Sequence, residues 1–314
     1  MNTTIWGFSR PQVVALLVMI ALFVVAPMVV YPVFLMKVLC FALFACAFNL
    51  LIGYAGLLSF GHSAYFGMGC YLAAYGAKHW GLSAELCVLL GGSVAAVMGL
   101  VFGAIAIRRQ GIYFSMITLA LAQFTYFICT QMSFTGGEDG IQQVPRPAVL
   151  GLLPLDNDMA IYWMVVGVFL LGFFGIFRII HSPFGQVLKA IRENEQRAIS
   201  LGYRVEQYKL MAFVLSTFIA GAAGGMKSLV FGIATLSDVT WQASGTIVLT
   251  TLLGGLGTIF GPVVGAVIVN TLEFYLAPFG SWVTITQGVI FVACVMVFRR
   301  GVIGELGAKL KVAL

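Results

Sequence analysis

Residues 159–203 read MAIYWMVVGVFLLGFFGIFRIIHSPFGQVLKAIRENEQRAISLGY, and the two halves of this stretch obey different rules. The first, 159–180, is long and apolar enough to cross a bilayer as a helix, which takes about 20 residues. The second, 181–203, carries five formal charges (Lys189, Arg192, Glu193, Glu195 and Arg197) in a chain of which only 9% is charged. Ser182–Pro183 is a helix start, a side-chain cap followed by Pro at the first helical position. Phe184, Val187, Leu188 and Ile191 fall at i, i+3, i+4 and i+7 and make one apolar stripe. The stripe breaks at Asn194–Glu195, resumes at Ala198 and Leu201, and stops at Gly202, so the spacing predicts two short amphipathic helices with a turn near Asn194.

The rest of the chain resembles the first half of that stretch. It is 314 residues long and 61% hydrophobic, with a mean hydropathy of +1.03. Soluble domains average roughly 25% charged residues, so this composition is that of an integral membrane protein. Its apolar runs suit helices rather than barrel strands. Thirty-seven glycines then read as close helix packing and broken helices. The net charge of +6 belongs to basic loops on the cytoplasmic side and not to nucleic-acid binding. Cys40, Cys46, Cys70, Cys87, Cys129 and Cys294 form no C-x-x-C and read as small membrane-facing hydrophobes. His62, His79 and His181 have no metal-binding spacing. The N-terminal apolar run lacks a small-residue cleavage site and reads as a retained span.

Candidate spans are 12–31, 33–52, 56–77, 84–107, 112–134, 159–180, 207–231, 243–256, 259–277 and 283–299. Thirteen of the seventeen basic residues become cytoplasmic if the N-terminus is inside and all ten segments cross. Parity requires the split of 243–277 at GGLGTIFGP; a re-entrant segment would lower the count to eight or nine. The expected fold is therefore an all-α polytopic membrane bundle of about ten spans in one domain, with both termini cytoplasmic. The segment 135–158, with four of the eleven acidic residues, then lies outside and is either a docking surface or a plain connector.

LIGYAGLLSFG (51–61) and LLGGLGTIFG (252–261) share an apolar pair, Gly-x-x-Gly and a later Phe-Gly. Glycine breaks at corresponding places in two halves point to a duplicated transporter core with discontinuous helices; the alternative is simple close packing. Ser59, His62, Ser63 and Tyr65 follow the first break, and polar groups at membrane depth tend to face the bundle interior. His62 either lines a path or is a core histidine. Glu273 either lines a path or sits at the outer interface beside Tyr275, and Lys37 is expected to snorkel outward. GAAGGMKS (221–228) imitates a phosphate loop, but Met226 stands where the motif requires Gly, so Gly221 and Gly225 read as a helix-packing face. No nucleotide site is visible; ATP-driven transport would need another subunit to hold the nucleotide.

SPFGQVLKAIRENEQRAISLG (182–202) closely resembles the cytoplasmic coupling loop of the branched-chain amino-acid ABC permeases, the LivH/LivM family, most closely the LivM type. GYAGLLSFGHSAYFGMGCY (53–71), RRQGIYFSMITLALAQ (108–123), FTGGEDGI (134–141), YKLMAFVLSTFIAGAAGG (208–225) and LLGGLGTIFGPVVGA (252–266) agree with it in order, over about 48–304. One departure is Phe298-Arg299-Arg300-Gly301, where the family often has a Pro near an Arg-Gly. The resemblance implies a non-catalytic membrane subunit of an ABC importer in a bacterial inner membrane. It would bind no cofactor itself, with ATP and Mg on two partner ATPase subunits. A homologous LivH-type permease and a periplasmic binding protein would complete the complex. The resemblance carries the coupling role to Phe184, Gly185, Ala190, Ile191, Arg192, Glu193, Glu195, Ala198 and Gly202. Polarity and the matching motifs suggest Ser59, Gly61, His62, Tyr65, Thr118, Gln123 and Glu273 for the translocation path. Importers of urea, amides and other small solutes, and a stand-alone secondary transporter, are the competing expectations.

Overall fold

The computed structural model describes residues 10–149, 155, 157–279, 282–297 and 301–310. Among these, the ordered elements are helices: α1 (Arg10–Val25), α2 (Pro32–Asn49), α3 (His62–His79), α4 (Ala84–Ala106), α5 (Ile112–Gln131), α6 (Asp158–His181), α7 (Pro183–Glu193), α8 (Glu195–Ser200), α9 (Val205–Phe231), α10 (Trp241–Gly254), α11 (Gly261–Leu276), α12 (Trp282–Val297) and α13 (Gly301–Leu310). Antiparallel pairing among the described residues is limited to one isolated bridge, Ile141 with Ala234. Five helical segments are long and apolar enough to cross a membrane, Pro32–Ala55, Ala84–Ala106, Ile112–Gln131, Asp158–His181 and Val205–Phe231. The chain is a polytopic membrane bundle. Seven of the ten expected spans hold one of these helices or one of the shorter apolar helices Gln12–Met28 and Gly261–Leu276; the other three, 56–77, 243–256 and 283–299, fall on α3, α10 and α12, and α3 begins at His62, not at 56, because residues 56–61 are not helical.

Layering follows from which helices are apolar all round. From Met36 to Asn49, α2 is buried on almost every face, as such a helix must be inside a bundle. It packs against α9, α11 and α6, while α3, α4 and α9 pack on one another, and α1, α4 and α5 turn large apolar side chains such as Leu17, Leu100 and Phe124 outward. Small residues let the central helices approach. A Cβ on Gly221 would lie 2.3 Å from that of Ala95, and one on Gly225 would lie 3.1 Å from that of Ala73, so the Gly221/Gly225 face packs as expected. Lys227, the lysine of the false phosphate loop, instead pairs with Asp238 at 2.6 Å with both side chains nearly buried.

The expectation for the cysteines needs correcting. Cys40, Cys46, Cys70, Cys87 and Cys129 are free thiols, but they are buried between helices and do not face the membrane. Apolarity alone does not reveal which side of a helix meets its neighbour. The Cys294 side chain and the residues 150–154 and 156 of the 135–158 segment lie outside the described residues.

Candidate functional site

The two Gly-x-x-Gly motifs share the conformation of their second glycine. After α2, residues Leu50–Ala55 form a wide π-turn and Gly56 takes a left-handed φ of 71°. After α10, the corresponding Gly257 takes a φ of 74°. A side chain disfavours that region, which is why the duplicated glycine stands there. Both breaks leave backbone groups without helical partners, and lipid supplies none. The two breaks meet and satisfy each other. Asn49 Nδ2–H donates to the Thr258 carbonyl (2.8 Å), the Gly257 N–H donates to Asn49 Oδ1 (3.0 Å), and the Tyr54 hydroxyl donates to the Gly257 carbonyl (2.9 Å). A Cβ on Gly53 would fall 2.8 Å from the Gly257 nitrogen, so the contact admits no side chain there.

The charged pair α7–α8 sits beneath this junction. Ser182 Oγ caps α7 by accepting from the Gly185 N–H at 3.3 Å, and Asn194 Oδ1 caps α8 by accepting from the Arg197 N–H at 3.0 Å. The turn near Asn194 is where the spacing placed it. The apolar stripe, however, faces the chain's own domain and not outward. Leu188 is fully buried with Leu51, Ala55 and Leu57, Phe184 stacks on Tyr208 at 5.6 Å, and Ile191 and Ala198 pack on Val205. Seating this stripe contributes about 25 cal/mol for each Å² of apolar surface it removes from water, whereas an isolated 11-residue helix is marginal. Gly185 belongs to the same seam, since its Cβ would fall 2.3 Å from the Ile180 carbonyl.

The nine residues assigned to coupling therefore divide. Gly185, Ile191 and Ala198 are buried and Phe184 is half-buried, and these hold the pair in place. Ala190, Glu193 and Gly202 are exposed, beside Ile199 and Leu201, the latter 69% exposed. Arg192 donates through Nη1 to the Gly53 carbonyl in the first break. Glu195 accepts from Lys209 at 2.7 Å and from Gln110 Nε2 at 2.9 Å, which ties α8 to α9 and to the α4–α5 turn.

The seven path residues also fall apart into separate settings. Ser59, Gly61 and Thr118 share one joint: Thr118 Oγ1 accepts from the Phe60 N–H, Ser59 Oγ accepts from the Gly61 N–H, and a Cβ on Gly61 would lie 2.1 Å from the Thr118 carbonyl. His62 is fully buried among Phe44, Phe48, Tyr65 and Phe213. Its Nε2 lies 2.9 Å from Ser216 Oγ, and the Ser216 hydroxyl donates to the Ala47 carbonyl, so Nε2 carries the proton. The ring sits where the core reading puts it, with Nδ1 buried and without a hydrogen-bond partner among the described residues. Tyr65 is buried in the same aromatic group. Glu273 accepts from Lys37 at 3.1 Å, so Lys37 is an ion-pair partner, not a snorkelling cation. Gln123 is exposed on α5, apart from the rest, beside Phe127 and Gln131 in a shallow groove.

Sequence reasoning missed Asn49, Tyr54, Lys209 and the Ser63–Ser244 contact, in which the Ser63 N–H donates to Ser244 Oγ at 2.9 Å. Asn49 had a signal: it is the sole uncharged polar side chain within the run PVFLMKVLCFALFACAFN, where only Lys37 is also polar.

The chain is similar to known membrane transport proteins. A family model described as the permease component of the branched-chain amino acid transport system matches residues 32–298. The high-affinity branched-chain amino acid transport system permease protein LivM of Salmonella typhimurium is 26% identical over 286 residues, 84% of this chain and 67% of that one. Its Escherichia coli counterpart is 25% identical over the same shares. The autoinducer 2 import system permease protein LsrC of Klebsiella pneumoniae is 27% identical over 180 residues, 54% of this chain and 50% of that one. No solved structure matches the chain.

Proposed function

The chain belongs to the family of permease components of branched-chain amino acid transport systems, and from that premise we propose that it carries branched-chain amino acids into a bacterial cytoplasm as one membrane half of an ABC importer. The observation that carries this is the α7–α8 pair, fixed to its own bundle by its apolar stripe and presenting Ala190, Glu193, Ile199 and Leu201 outward. A charged face with exposed apolar side chains beside it suits a groove in a soluble partner. That partner is the ATPase, two copies of which hold the ATP and Mg. A LivH-type permease is the other membrane half, and a periplasmic binding protein delivers the substrate.

In this reading all ten apolar segments cross and both termini are cytoplasmic. Support comes from α13, whose Gly301 lies against Gly255 at the second break, on the side of the bundle where α7 sits. The exposed amides of Gln123 and Gln131 on α5 favour a neighbour other than lipid, because an unpaired amide in hydrocarbon costs several kcal/mol. We place the second permease and a hydrated path against that face. Branched-chain amino acids lead the substrate classes because the family model names them and the Salmonella and Escherichia LivM permeases span 84% of the chain, against 54% for the Klebsiella autoinducer permease.

The test is copurification in mild detergent followed by reconstitution. Tagged chain should bring down an ABC ATPase and a second permease, and vesicles holding the complex with its binding protein should accumulate labelled leucine only when ATP is supplied. Uptake driven by an ion gradient without any ATPase would replace this reading with a secondary transporter.

A further inference from the structure

Arg192, on α7, bonds to the first break and lies beside the second. Its Nη1 donates to the Gly53 carbonyl in the first. In the second, a Cβ built on Gly257 would lie 3.3 Å from the same Nη1, and one on Gly56 would lie 3.2 Å from Arg192 Cγ. The left-handed glycines thus leave the slot that the guanidinium stem occupies. Tyr54 lies alongside, with Lys189 Nζ 5.6 Å from its ring centre and its hydroxyl on the Gly257 carbonyl. The end of α2 closes the group, with both ends of the Asn49 amide bound to the second break.

We propose that Arg192 and Asn49 are positioning residues that bind the two broken segments to α7, so that both follow the coupling pair as one body. The physical ground is that each link satisfies a backbone group freed by a break. Any displacement of α7 that left a segment behind would strand the Gly53 carbonyl, and any separation of the breaks would strand the Gly257 N–H and the Thr258 carbonyl. A planar guanidinium suits this role because it presents several donors in a fixed fork. An apolar contact slides under load, whereas this set must move together or come apart. Arg192 bonds the first break directly, and Asn49 and Tyr54 bond the second break to the first, so one side chain on one short helix reaches the second segment through the first. The proposal rests on the importer reading for its purpose, though not for its geometry.

The experiment uses the full chain with its copurified partners in nanodiscs. Variants are Arg192→Ala, Arg192→Lys and Asn49→Ala. Hydrogen exchange is read over 50–57 and 254–260, with ATP hydrolysis and leucine uptake measured side by side. Arg192→Ala should speed exchange in both segments by about threefold to tenfold, the change in local opening that one lost hydrogen bond produces. Uptake per ATP hydrolysed should fall in Arg192→Ala and Asn49→Ala and be partly rescued in Arg192→Lys, which keeps a donor. Faster exchange confined to 50–57, or uptake and hydrolysis falling in step in every variant, would overturn the joint. A wild-type complex with no ATP-dependent uptake would overturn the importer reading instead, and the exchange pattern would still decide whether Arg192 holds both segments.

Discussion

Lys209 and Glu195 close an ion pair of 2.7 Å in which the lysine side chain is 7% exposed and the glutamate 24%. The asymmetry has a consequence. Removing the carboxylate strands a buried ammonium, a cost on the order of 3 kcal/mol. Removing the lysine leaves a carboxylate about a quarter exposed that still accepts from Gln110. Glu195→Gln should therefore lower the melting temperature more than Lys209→Met, and the double variant should recover part of the loss. Equal effects of the two single variants in a thermal melt would contradict this account.

Gly185 and Glu193 were both assigned to coupling, yet the structure separates them. Gly185→Ala drives a Cβ to 2.3 Å from the Ile180 carbonyl and should fail in folding, seen as low yield and aggregation. Glu193→Lys and Leu201→Asp change exposed side chains and should insert and melt like the parent. Both should lose the copurifying ATPase. Should Gly185→Ala prove stable and selectively uncoupled, the division of the pair into a seat and a face would be mistaken.

The Lys37–Glu273 pair has side chains 33% and 32% exposed, and solvent screening keeps such pairs to about 1 kcal/mol or less. Glu273→Gln should leave both stability and leucine uptake close to those of the parent. Charge exchange, Lys37→Glu with Glu273→Lys, should do the same. Loss of uptake in Glu273→Gln, with folding intact, would instead put this carboxylate on the substrate's route.

For His62 the discriminating pair is Leu against Ala. Leucine fills the aromatic pocket without titrating, and uptake should survive. Alanine empties it and should cost about 3 kcal/mol, read as an earlier melt. A folded His62→Leu protein that no longer transports would restore the histidine to the path.

How much of this was legible beforehand depends on the range of the interaction. The Ser182–Pro183 start, the Asn194 turn and the helix segments are local, and each follows from spacing, caps and apolar length. The duplicated glycines could be paired by eye, and Gly56 and Gly257 do share a backbone state. What a linear reading could not supply was the partner of each face. The stripe of α7 looks the same whether it meets a neighbour or its own bundle, and only the position of Leu51, Ala55 and Leu57 decides. Asn49 and Thr258 are 209 residues apart, and no periodicity connects them. Gln123 shows the same limit in reverse, since its polarity marked it out but only the fold shows it exposed on α5, away from the buried Ser59, His62 and Tyr65.

The buried thiols have a practical side. Five native cysteines are sealed between helices, so aqueous maleimides would find no target at any of them. Replacing Cys294 alone would give a silent background. Single reporter cysteines placed at Ala190, Leu201 or Gln123 would then be the sites that label, and distances between the coupling pair and the bundle could be followed through a transport cycle without stripping the core of residues it needs for packing.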